Sequence, residues 1–175
     1  MPATPFERLP ARLCRRPRIL FVGINPSLRS AAVGHHFAGP GNPFWRLLHA
    51  SGLVDEPFTY EDDVRLPSCG FALTNIVERP TRAASELTPA EFTAGRARLA
   101  RLIARIQPEV VAFVGVTVYR AFFGPGASPG AGPKPERIGR SRVFVVPNPS
   151  GLNAAYPGFA DKLVWFRRLK RFVER

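Results

Sequence analysis

Arg18-Ile19-Leu20-Phe21-Val22-Gly23-Ile24-Asn25-Pro26 decides how the rest of the chain is read. Ile19 to Val22 are apolar at every position, without the alternation of a strand that has one wet face. Such a run predicts a strand covered on both sides, as in parallel sheets. It stops at Gly23, and an amide side chain follows with a proline behind it. Proline steers the preceding residue towards extended geometry, so the Asn25 side chain is aimed rather than mobile. In open α/β sheets, ligands sit where strands run out into loops at the carboxyl edge. Asn-Pro also starts ordinary turns, and the rest of the chain decides between the two.

Three more strands follow: Gly70 to Asn75, Val110 to Gly115, and Arg142 to Val146. Helices are predicted between them. Pro43 to Ser51 has Asn42 as its cap and Phe44, Leu47 and Leu48 on its buried face. Thr88-Pro89-Ala90-Glu91 starts a helix that runs to about Gln107, with a capping threonine, proline at the first position and glutamate three on. Val116 to Phe123 and a last amphipathic helix from Asp161 complete the set. Strands alternating with helices predict an α/β fold: a single domain over 18–175, with a mainly parallel central sheet of four to five strands flanked by helices. Residues 1–17 read as a loosely structured basic leader. Ser27 to Asn42 reads as a long loop, and loops of that length in compact domains are usually functional. Residues 53–68 are acidic and irregular, a face to be turned away from any polyanion. Gly124 to Gly139, rich in proline and glycine, reads as a mobile surface loop.

The 175 residues are 45% hydrophobic, enough for one real core. No apolar run of about 18 residues offers a membrane span, and Met1 to Arg18 has no apolar segment of the signal-peptide kind. Cys14 and Cys69 are too few for a cysteine-rich metal or iron–sulfur site. The formal charge is +12 and the pI about 11.3. That field favours polyanions, nucleic acid first, and the excess of Arg over Lys suits bidentate phosphate contacts.

Three of the four strands end in a loop that bears asparagine: Asn25, Asn75 and Asn148. Parallel strands put those ends on one edge, where the amides can converge. An amide offers donors and an acceptor, which suits the amide edge of a pyrimidine, and Phe37 could stack on such a base. There is no Gly-rich phosphate loop, no pair of catalytic carboxylates and no Ser/His/Asp arrangement. His35-His36 has no third ligand nearby, so no metal is expected.

Taken together, Gly23-Ile24-Asn25-Pro26 and Pro147-Asn148-Pro149-Ser150-Gly151-Leu152 resemble the two signature motifs of the mismatch-specific uracil/thymine-DNA glycosylases, within the uracil-DNA glycosylase superfamily. The likeness continues through Gly34 to Trp45 and Thr74 to Thr81, in the right order, over about 18–170. It implies hydrolytic excision of uracil, or thymine, from G:U or G:T mispairs in double-stranded DNA, leaving an abasic site for base excision repair. It makes Asn25 the catalytic asparagine that positions water, and Phe37 the ring that stacks on the flipped base. Asn75 and Thr81 match base-pocket residues of the thymine-type members; the bacterial uracil type typically has lysine where Asn75 stands. Ile24, His36, Asn148 and Ser150 are likewise implied at the base. Gly151, Leu152 and Asn153 are implied at the DNA, with Leu152 as the wedge in the vacated stack. Asn153-Ala154 stands where some members carry an arginine-bearing tail, so contacts to the widowed guanine do not follow from the likeness.

The chemistry fits those residue types. Extruding a base costs a few kcal/mol, least for a mispair, and an apolar wedge helps fill the gap. Asparagine is a poor general base, so Asn25 orients water, a proximity effect. That predicts a slow enzyme without cofactor or metal. With no lysine in the motifs, no Schiff-base lyase step is expected. A cytoplasmic, nucleoid-associated monomer is the natural setting. The competing readings are a non-catalytic binder of mismatched or damaged DNA on the same fold, and a nucleoside- or nucleotide-processing enzyme.

Overall fold

The computed structural model describes residues 8–150 and 153–175. The sheet has five strands: β1 (Ile19–Gly23), β2 (Phe71–Asn75), β3 (Val110–Val114), β4 (Gly132–Ile138) and β5 (Ser141–Val146). Their order is β2-β1-β3-β5-β4. The first four of that order are mutually parallel, and β4 runs antiparallel to β5 at the edge. The helices are α1 (Leu28–Val33), α2 (Phe44–Ala50), α3 (Pro89–Ile106), α4 (Val116–Phe123) and α5 (Phe159–Val173). The chain moves outwards from β1 to β2, then crosses back over β1 to β3, so the winding reverses between β1 and β3. That reversal is where an open α/β sheet leaves a crevice.

Alternation along β1 sends neighbouring side chains to opposite layers. Ile19 and Phe21 join Phe44, Leu47, Phe166 and Leu169, the layer of α2 and α5. Leu20 and Val22 join Leu99, Ile103, Val118 and Tyr119, the layer of α3 and α4. Both faces are therefore dry, as the unbroken apolar run requires. The arginines of α3 divide by the same geometry: Arg96, Arg101 and Arg105 are exposed, while Arg98 Nη2 donates to Asn75 O and Ile76 O, both at 2.8 Å. Gly95 lets α3 press on the end of β2, since a Cβ there would stand 2.1 Å from Ile76 O.

Four stretches differ from expectation. Gly124 to Gly139 is not all loop, because Gly132–Ile138 forms β4. Its prolines are compatible with a strand only because β4 is an edge; Pro133 and Pro135 are both exposed. The long loop after Asn25 contains α1, capped by Ser27 and closed by Gly34 at φ 77°. The acidic stretch folds partly as a 3₁₀ helix, Tyr60–Cys69, and turns Asp63 fully inward. Of the expected leader, residues 8–17 lie against the domain. Arg12 forms an isolated antiparallel bridge with Leu73 on the outer side of β2, and Leu9 is buried.

Candidate active site

At the carboxyl edge of β1 lies a cavity of about 260 Å³, walled by the ends of β1, β2, β3 and β5 and by the loop after α1. Asn25, Asn75 and Asn148 all line it, together with Ile24, His36, Phe37 and Ser150. The volume sits just under the roughly 300–1,000 Å³ of sites for drug-sized ligands, which suits a small planar guest. A larger hollow, about 460 Å³, lies at the opposite edge, beside Arg18, Asp55, Lys170 and Glu174. Its cations are already engaged: Lys170 pairs with Glu174 at 3.1 Å, and Arg18 Nη2 donates to Cys69 O.

Asn25 is half-buried and its amide orientation follows from its partners. Nδ2 donates to Arg79 O at 2.9 Å and to Thr81 Oγ1 at 2.8 Å. Arg79 O can only accept, and Thr81 Oγ1 gives its own proton to Ala83 O at 2.8 Å. Both therefore require an N–H from Asn25, and Oδ1 is left as an acceptor without a partner among the described residues. The 79–81 segment is itself anchored. Arg79 Nε donates to Glu91 Oε1 at 2.8 Å and Thr81 N to Pro26 O at 3.2 Å. The hydrogen bond to Arg79 holds the half-buried Glu91 carboxyl below its usual pKa.

Thr81 was expected at the base. It is buried and stands behind Asn25, outside the cavity wall. Asn75 ends β2 with a side chain that makes no hydrogen bond to a described residue. Its Oδ1 would lie 2.5 Å from a Cβ on Gly23, and Phe37 Cζ would lie 3.7 Å from the same atom. The missing side chain at Gly23 is therefore what lets Asn75 and Phe37 come together. Phe37 stacks on Phe44, with ring centroids 4.0 Å apart at 24°, and has φ 51°. For a non-glycine residue that left-handed conformation costs about 1–2 kcal/mol, so surrounding contacts must impose it.

His36 lines the cavity, but its ring is engaged elsewhere. It is 3% exposed and Nε2 lies 2.8 Å from Pro10 O. A carbonyl only accepts, so Nε2 carries the proton, and burial pushes the imidazole pKa below its usual value. Asn148 splits its amide: Oδ1 accepts from Ser150 N at 2.9 Å, a turn that leaves Nδ2 without a partner among the described residues. Asn153, expected at the DNA, braces the same loop, with Nδ2 donating to Asn148 O at 3.3 Å. Gly151 and Leu152, the expected wedge, lie outside the described residues. Leu9 also lines the cavity; nothing in the apparent leader pointed to it. Among the described residues, no three His, Cys, Asp or Glu side chains gather as metal ligands, and no helix is long and apolar enough to cross a membrane.

Two comparisons with known proteins bear on this edge. A family model described as the uracil DNA glycosylase superfamily matches residues 10–170. The fold superposes, with a TM-score of 0.64, on the solution NMR structure of a candidate uracil DNA glycosylase from Methanosarcina acetivorans. That protein is 20% identical, and the match covers 96% of this chain and 98% of the other.

Proposed function

This chain belongs to the uracil DNA glycosylase superfamily, and from that premise we propose that it is a monofunctional glycosylase acting on pyrimidines mispaired with guanine in double-stranded DNA. Uracil is the primary substrate in this reading, with thymine and damaged pyrimidines as further ones. The observation that carries it is the state of Asn25. Its Nδ2 is spent on Arg79 O and Thr81 Oγ1, while its Oδ1 has no partner among the described residues and stands beside a cavity shared with Phe37, Asn75 and Asn148.

In this mechanism the flipped base slides against Phe37, whose back is supported by Phe44. The Asn75 amide pairs with the pyrimidine edge. Cleavage of the bond between C1′ and the base nitrogen leaves positive character on the sugar and negative charge on the base. Amide donors fixed around the base stabilise that charge where it develops. Asn25 Oδ1 accepts a hydrogen bond from water and holds its oxygen towards C1′. The water oxygen bonds to C1′ and loses a proton to solvent, the base leaves with the bonding pair and takes up a proton from solvent, and the products are free base and an abasic site. Asparagine takes no proton, so the gain is one of placement. Leu152 is the proposed wedge. The chain has only three lysines, Lys134, Lys162 and Lys170, and none lines the cavity, which supports a hydrolysis that stops at the abasic site.

The test is incubation of a duplex with one G:U pair, followed by alkali and by analysis of released base. Strand scission and free uracil are expected from the native protein. Asn25→Ala should lose excision by about a hundredfold or more, on the scale of a lost positioning group, while duplex affinity is kept. Mismatch affinity without uracil release would instead make the protein a non-catalytic binder. A panel of duplexes with one lesion each ranks the substrates.

A further inference from the structure

Asp63 has no place in the cavity wall, yet among the described residues it is the one fully buried carboxylate. A buried charge is costly unless it is paired and hydrogen-bonded, and Asp63 is both. Oδ1 lies 2.8 Å from His35 Nδ1. Oδ2 accepts the His36 backbone N–H at 2.8 Å and faces Arg12 Nε at 3.3 Å. Arg12 in turn donates through Nη2 to Gly34 O at 2.8 Å. Two further bonds fix His36, Nε2–H to Pro10 O and Trp45 Nε1–H to His36 O, at 2.8 and 3.0 Å. On the far side of Phe37, Ala38 N donates to Ser30 Oγ at 3.0 Å and Arg29 Nε to Ala38 O at 2.9 Å. The residue with the unfavourable φ is thus gripped through both its neighbours, and the grip on the His35-His36 side converges on one carboxylate.

We propose that Asp63 is the positioning residue of the cavity aromatic: by clamping His35-His36 to the Arg12 segment, it holds Phe37 in its left-handed conformation with the ring on Phe44. Its effect on catalysis rests on the reading of the cavity given above; its effect on the loop does not. The Arg12 segment thereby becomes part of the site's support, although it is distant in sequence and covers the outer side of β2.

The experiment uses the full chain with Asp63→Asn and Asp63→Ala. Asparagine keeps the size and one acceptor, so it remains informative if the alanine variant does not fold. First, backbone amide exchange is measured across residues 35–39. Opening of a locally unlatched loop should speed exchange there by about tenfold or more, with β1 and α5 unchanged. Second, single-turnover uracil release from a G:U duplex is measured for Asp63→Asn alone and in a Phe37→Ala background. If Asp63 acts through Phe37, the loss is about tenfold in the native background and under about twofold in the other, the signature of coupled sites. Unchanged loop exchange overturns the proposal, and so do losses that simply multiply. If the native protein releases no uracil, the glycosylase reading fails while the exchange arm still decides the role of Asp63.

Discussion

Gly23→Ala separates the shape of the cavity from the stability of the domain. A Cβ at this position would stand 2.5 Å from Asn75 Oδ1, where ordinary contact begins at 3.4 Å, so the amide must retreat by about 0.9 Å. Phe37 Cζ would lie at 3.7 Å, a normal distance. Gly23 does not have a positive φ, so alanine brings no backbone strain. Pushing Asn75 off its rotamer costs about 0.5–1.5 kcal/mol, partly offset by the roughly 0.4–1 kcal/mol that Gly→Ala gains through the unfolded chain. Stability should therefore stay within about 1 kcal/mol, a Tm change of no more than about 4 °C for a chain of this size. Activity should suffer more. Loss of the proposed Asn75 bond to the base is worth about 1–3 kcal/mol, or roughly 5–150-fold in rate. The assay is single-turnover uracil release beside thermal unfolding, with Asn75→Ala and the double variant as controls. Both single variants should be slow, and the double no slower than either. A fully active Gly23→Ala protein, or one whose Tm falls by 10 °C or more, would refute the packing argument.

Thr81→Val keeps the side chain's shape but removes the acceptor for Asn25 Nδ2 and the donor to Ala83 O. We expect about tenfold slower excision with affinity for the duplex kept, and a stability loss of about 1–3 kcal/mol for the two bonds; Thr81→Ser should restore the rate, as read by the same uracil-release assay. The burial that lowers the His36 pKa from 6.5 gives a pH dependence of defined sign. Between the folded and unfolded pKa values the unfolded chain binds the extra proton, so this stabilisation is complete above about pH 6.5 and is lost as the pH falls through the folded value. Arg12, His35 and Asp63 surround the ring, so calorimetric Tm should be compared between pH 7.5 and 5 for the native chain and for His36→Gln, whose slope should be shallower.

How much could be read from the chain follows from what each residue faces. β1, β3 and the end of β5 are apolar without a break, because helices cover both sides, and short runs this rich in β-branched and aromatic residues suit a strand better than a helix. β4 gave no such sign. Its outward positions are prolines and charges, and a strand that meets water along an edge carries the composition of a loop. α1 was hidden by its length, since six residues are too few to display a helical period, although Ser27 and Gly34 were cap signals at the right spacing. In the site, Asn25, Asn75 and Asn148 were legible because each lies at the end of a strand or within two residues of it, and strand ends in a parallel sheet share an edge. Thr81 props Asn25, and spacing along the chain does not distinguish a wall from what props it. Asp63 looked like one more solvated acid in an acidic stretch. Its partners Arg12 and His35 come from remote segments, and only the folded chain brings them within 3.3 Å.

The exposed prolines of β4 have a consequence at high concentration. An open β margin invites a second molecule to continue the ladder, using amide hydrogens that project from its rim. Pro133 and Pro135 have none to offer. The far flank of the sheet is shielded differently, by the Arg12 bridge to Leu73. The two prolines thus leave part of the β4 rim without donors on which a second copy could add a strand.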